Sequence, residues 1–134
     1  MSNWQKLNYS GDKFQPFHIK LDYCHEEMTL RDIYKYDDDQ EWIDKTAQEI
    51  TDGYKYFVIL RARAYLAGVE VGSHSLGGLL FDNTDEMESM MRLDYEGIIA
   101  EAVETAKHNL KQMADAMKER ETGIERGREI ESAR

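Results

Sequence analysis

Residues 54–81 limit what this chain can fold into more than any other stretch. The run Tyr-Lys-Tyr-Phe-Val-Ile-Leu-Arg-Ala-Arg-Ala-Tyr-Leu at 54–66 is rich in aromatic and β-branched side chains. Ala67-Gly68 breaks it, and 69–81 resumes as a second strand-like run. Two such runs joined by two turn residues read as a β-hairpin. A two-residue turn sets Leu66 opposite Val69, Ala64 opposite Val71 and Arg61 opposite His74, matching apolar with apolar. Register matters, because a slip of one residue moves every side chain to the other face. Gly72, Gly77 and Gly78 predict bulges or sharp curvature in the second strand.

The elements around the hairpin follow from periodicity. Phe17, Ile19, Leu21 and Tyr23 alternate with His18, Lys20 and Asp22, the pattern of a strand with one wet face. Thr29 is placed to cap a short helix over 30–36. Asp37, Asp38 and Asp39 precede the stripe Trp42, Ile43, Thr46, Ala47, Ile50, so a helix over 40–52 is expected, with Gly53 as its stop. Asn83 with Glu86 resembles a capping box. A long helix follows to about Arg120, with the stripe Ile99, Val103, Ala106, Leu110, Met113, Met117 at heptad spacing. Residues 1–15 read as an irregular arm and 122–134 as a frayed or disordered charged tail. The whole predicts one α+β domain over 1–121: an antiparallel sheet containing the hairpin, two short helices and a long C-terminal helix, with the helices on one face.

Composition narrows the function classes. The chain has 134 residues, 41% hydrophobic and 33% charged, and a formal net charge of -10. A general basic surface for nucleic acid is not expected at that balance, since neutralising phosphates requires clustered Lys and Arg. Cys24 is the only cysteine, so no internal disulfide forms and no oxidising compartment is needed. No apolar run has transmembrane length. Residues 1–9 show no signal-peptide core, which makes the cytoplasm the expected compartment.

Four features carry candidate chemistry. On the hairpin, the preferred register puts Arg61, Arg63, Tyr65, Glu70 and His74 on one face, where two guanidinium groups and an imidazole would hold a phosphate-bearing ligand. The plainer reading is a solvated face with cross-strand charge pairs. Asp37, Asp38, Asp39, Glu41 and Asp44 form an acidic cluster without EF-hand spacing, explained by helix capping or by contact with a basic partner. Cys24-His25-Glu26-Glu27 lacks the geometry of a thiol nucleophile or a zincin and reads as a strand-end turn. The C-terminal stripe reads as core near Ile99 and as a partner seam near Met113 and Met117, with a homodimer through this helix expected. No catalytic pair, cofactor motif or zinc constellation emerges.

The hairpin from Tyr56 to Gly78, followed by a long alanine-rich helix, resembles small accessory proteins of phages and mobile elements. Some of those inhibit bacterial defence systems by plugging a protein surface or by sequestering a nucleotide signal. The resemblance implies no particular functional residue. Together these observations give an expectation of a non-enzymatic acidic binding protein that blocks a host protein or protein complex. The alternative is a small protein that binds or sequesters a nucleotide.

Overall fold

The computed structural model describes residues 3–11, 13–36, 38–93 and 96–132. Its elements are β1 (Gln5–Leu7), β2 (His18–His25), α1 (Leu30–Ile33), α2 (Gln40–Thr51), β3 (Tyr56–Leu66), β4 (Val69–Phe81), α3 (Thr84–Leu93) and α4 (Glu96–Ser132). The strands form one antiparallel sheet in the order β1-β2-β3-β4, each beside its neighbour in sequence. The fold is α+β, with a long C-terminal helix. Two boundaries differ from the sequence reading. The supposed irregular arm supplies an edge strand, pairing Lys6 with Asp22 and Leu7 with Leu21. The last helix stays helical past Arg120 to Ser132.

Alternation along the strands sorts side chains onto two faces. One face carries Leu7, Ile19, Leu21, Val58, Leu60, Ala62 and Ala64, which join Phe81, Met87 and Met91 and the α4 residues Ile98, Ile99, Ala102, Val103 and Ala106 in the main core. The opposite face is not bare. Leu30, Ile43 and Phe57 form a second, smaller cluster with Leu80, so α1 and α2 cover one end of the reverse face rather than joining the other helices. The cause lies in the pairing of Phe57 with Leu80: this pair points away from the main core and needs its own cover.

Caps fix the helix starts. The Thr29 hydroxyl accepts from the Asp32 N–H at 3.1 Å, and Asp39 accepts from the Trp42 N–H at 3.0 Å. Asn83 Oδ1 accepts from the Glu86 N–H at 2.8 Å, while the Glu86 carboxylate reaches back to the Asp82 N–H at 3.4 Å. The Asp32, Trp42 and Glu86 bonds each satisfy a donor that the first helical turn leaves unpaired, and the Glu86 carboxylate ties down the chain just before α3.

The hairpin turn has two residues, as expected, with Leu66 opposite Val69. Ala67 and Gly68 both have positive φ, at 51° and 79°. This is the primed geometry that follows the twist of the strands. Beyond the turn the register departs from the reading. Tyr65 pairs with Glu70 but Ala64 pairs with Gly72, so Val71 is an extra residue. Residues 72–76 therefore change face, and His74 pairs with Ala62 instead of Arg61, until a second irregularity opposite Ile59 returns residues 79–81 to the expected side. The bulge serves the packing of α4. A Cβ on Gly72 would lie 2.5 Å from both Ala102 O and Ala106 N, so only glycine admits the helix backbone here. Asn109 Nδ2 then donates to the freed Val71 carbonyl at 3.0 Å.

Candidate functional site

The open part of the reverse face brings together five charged side chains, Lys6, Lys20, Asp22, Arg61 and Arg63. Asp22 lies at its centre, on β2 between Lys6 of β1 and Arg61 of β3. It is only 4% exposed. Arg61 Nε and Nη2 donate to its two oxygens at 2.8 and 2.7 Å, and Arg63 Nη2 adds a third bond at 2.8 Å. A carboxylate this buried is tolerable because both oxygens accept charge-assisted bonds. The bonded Asp22 carboxylate also raises the pKa of the Arg61 guanidinium, against the opposing effect of burial. Arg61 sits over the ring of Trp4, with 3.7 Å between guanidinium carbon and ring centre. Lys20 stands 4.5 Å from the ring of Tyr65. A groove of about 390 Å³ runs between these groups, lined by Lys6, Lys20, Arg61, Arg63, Asp22 and Trp4 among others.

Of the ligand-binding residues read from the sequence, Arg61, Arg63 and Tyr65 share this face, and His74 does not. The bulge at Val71 carries His74 to the helix-covered side, beside Ala62. Asp22, Lys6, Lys20 and Trp4 complete the group and were missed. Lys20 and Asp22 occupy the wet positions of the β2 alternation, so a signal was present. Lys6 and Trp4 depend on β1, which is too short to show a period.

Glu26 has a structural task. Its carboxylate reaches the second irregularity of β4, where Gly77 and Gly78 face Ile59, and accepts from the Gly78 N–H at 2.8 Å. Cys24 and His25 end β2, and His25 stacks on Tyr56 with 6.3 Å between ring centres. Burial pushes the Cys24 thiol up, and the nearby Arg61 charge only partly opposes this. A raised thiol is a poor nucleophile. Among the described residues no cluster of His, Cys, Asp and Glu is arranged to hold a metal ion.

The expected partner-binding residues fall in two places. Asp38, Asp39 and Glu41 are exposed at the start of α2, where Asp39 is the cap. Asp37 lies outside the described residues. Met113 and Met117 are 59% and 64% exposed on α4. Burial on this helix ends at Ala106, and all side chains from 111 to 120 are exposed. Where α4 passes the hairpin tip, a shallow groove of about 500 Å³ opens between Val69 and Val71 on one side and Met113 and Ala116 on the other. Among the described residues no helix is long and apolar enough to cross a membrane.

Comparison with protein-family models, curated proteins and solved structures finds no match.

Proposed function

We propose that this protein is a non-enzymatic binding protein that engages a protein partner along the outer stretch of α4 and the adjoining end of β4. One observation carries the reading: Val69, Met113 and Met117 are each more than half exposed and lie around one groove or beside it on the same helix. Exposed apolar surface gathered in one place marks interaction sites, whereas single exposed apolar residues do not. Methionine suits such a surface because its unbranched side chain adapts to the shape it meets. The helix also continues for roughly 35 Å of rise past Asn109, and an isolated helix has little stability of its own in water.

In its narrower form the proposal makes the partner a host defence complex and the protein a cytoplasmic inhibitor carried by a phage or mobile element. The hairpin-plus-helix resemblance supports that form, as does the net charge of -10, which would steer a basic partner.

The test is capture from a bacterial lysate with the wild-type protein and with a Met113→Glu/Met117→Glu variant. A stoichiometric partner held by the wild type and lost by the variant is expected. A partner that the variant retains overturns the proposed surface. Light scattering separates the remaining case. If the wild type has the mass of two chains and the variant that of one, the surface is a homodimer seam and the foreign partner is withdrawn.

A further inference from the structure

We infer that the open face of the sheet carries a binding site for a small phosphate oligoanion, a di- or triphosphate group, held by Lys6, Lys20, Arg61 and Arg63. The inference is independent of the docking surface on α4 and shares no residue with it.

The argument begins with charge. The chain has 27 acidic and 17 basic side chains, so carboxylates are plentiful for pairing. Around this groove the ratio reverses, with four cations lining it and Asp22 as the carboxylate among them. The β4 residues paired with Arg61 and Arg63 are Ser75 and Ser73, not acids. Glu70 is one pair further along, opposite Tyr65. A face built only for cross-strand ion pairing would place carboxylates at those serine positions.

Geometry makes the cations more than a solvated fringe. Each guanidinium offers five donors. Asp22 takes two from Arg61 and one from Arg63, which fixes the orientation of both groups and leaves donors over. One of these, Arg63 Nε, is buried and has no partner among the described residues. Trp4 against Arg61 further restrains the same guanidinium. The two arginines are thus preorganised, so little ordering cost remains for a ligand.

Spacing selects the ligand class. Lys6, Asp22 and Arg61 form one row across β1, β2 and β3, and Lys20 and Arg63 form part of the next. Two strand spacings separate Lys6 from Arg61, roughly 10 Å. A single phosphate cannot touch both ends of that row, but a chain of two or three phosphoryl groups can. Long nucleic acids are disfavoured, because they would extend beyond the patch over a surface of opposite preference. A compact anion feels mainly the local charges, since the remainder are screened over about 8 Å at physiological salt.

Trp4 supplies the readout. The chain has two tryptophans, so Trp42→Phe leaves Trp4 as the sole reporter. In that background, inorganic triphosphate and a nucleoside triphosphate are titrated, with calorimetry in parallel. Both are expected to bind and to weaken as salt is raised. Lys6→Ala and Lys20→Ala, at exposed positions, should each weaken binding about fivefold without lowering the melting temperature, while Lys45→Ala on α2 should leave it unchanged. Equal affinities for the two compounds assign recognition to the phosphate chain alone. Tighter binding of the nucleoside triphosphate adds contact with the base or sugar to the same site. Absence of binding by either compound up to about 10 mM, a regime weaker than any useful affinity, overturns the inference. So does binding that Lys6→Ala and Lys20→Ala do not weaken.

Discussion

The two faces of the sheet are made from alternate residues of the same strands, yet they are held by different physics. The covered face is apolar and close-packed. At its centre Ala62, Ala64 and Gly72 are small enough to bring the backbone of α4 against β4 at Ala102 and Ala106. The open face is polar and depends on one buried carboxylate that organises two guanidiniums. The first arrangement stabilises by excluding water and does so wherever shapes fit. The second is close to neutral for stability, because desolvating the charges offsets most of their attraction. An arrangement that contributes little to stability and is nonetheless built to fixed geometry is where binding is to be sought, and this is why the open face, not the core, carries the inference about a ligand.

The largest effect should come from breaking the covered face at its tightest point. Gly72→Val places a side chain where the atoms of Ala102 and Ala106 already lie, 2.5 Å from its first carbon. The obstruction is helix backbone, which cannot rotate away as a side chain can. A loss of about 3 kcal/mol is expected, read as a shift in the urea midpoint with unchanged slope. A loss below about 0.5 kcal/mol would mean that α4 does not sit this close to β4.

The corresponding break on the open face should cost less. Asp22→Asn keeps the shape but removes the charge between two arginines that are about a quarter exposed. Partial exposure lets water take over some of the lost interaction, so about 1–2 kcal/mol is expected rather than the larger cost of a fully buried pair. The same measurement on both variants sharpens the contrast. If Asp22→Asn proves the more damaging, the open face is a structural keystone and the argument for a ligand loses its premise.

Much of this was legible from the chain and some could not be. The hairpin, its two-residue turn and the alternation of β2 were readable because each rests on local periodicity and turn chemistry. That one end of the last helix is buried and the other exposed was readable too, from apolar width: Ile98 and Ala102 broaden the stripe at one end, and Met113 and Met117 stand alone at the other. The bulge at Val71 was foreshadowed by Gly72, but not its position. In Gly72-Ser-His-Ser the alternation vanishes, and the register is set by where a helix thirty residues later needs a flat surface. That one extra residue moved His74 to the other face. The Asp22 cluster was illegible for a related reason: its partners are 39 and 41 residues away, and only the β2-β3 register brings them together.

The smallest expected effect probes how wet the open face is at its edge. Cys24 shares this face, paired with Ile59 two residues beyond the Asp22 row. Opposed influences meet at its sulfur. Burial raises the thiol pKa most, the Arg61 charge lowers it, the carboxylates of Glu26, Glu27 and Asp22 raise it further, and the balance is upward. A raised pKa leaves less thiolate at a given pH, and thiolate is the form that reacts. Alkylation by iodoacetamide near pH 8 should therefore be slower than that of a small free thiol. Arg61→Gln should slow it further, since the change removes the influence that favours the anion. A faster reaction in Arg61→Gln would mean that opening the cluster exposes the sulfur more than it discharges it. Arg61 would then act on this face chiefly as packing rather than as charge, and the phosphate site would rest on Lys6, Lys20 and Arg63 alone.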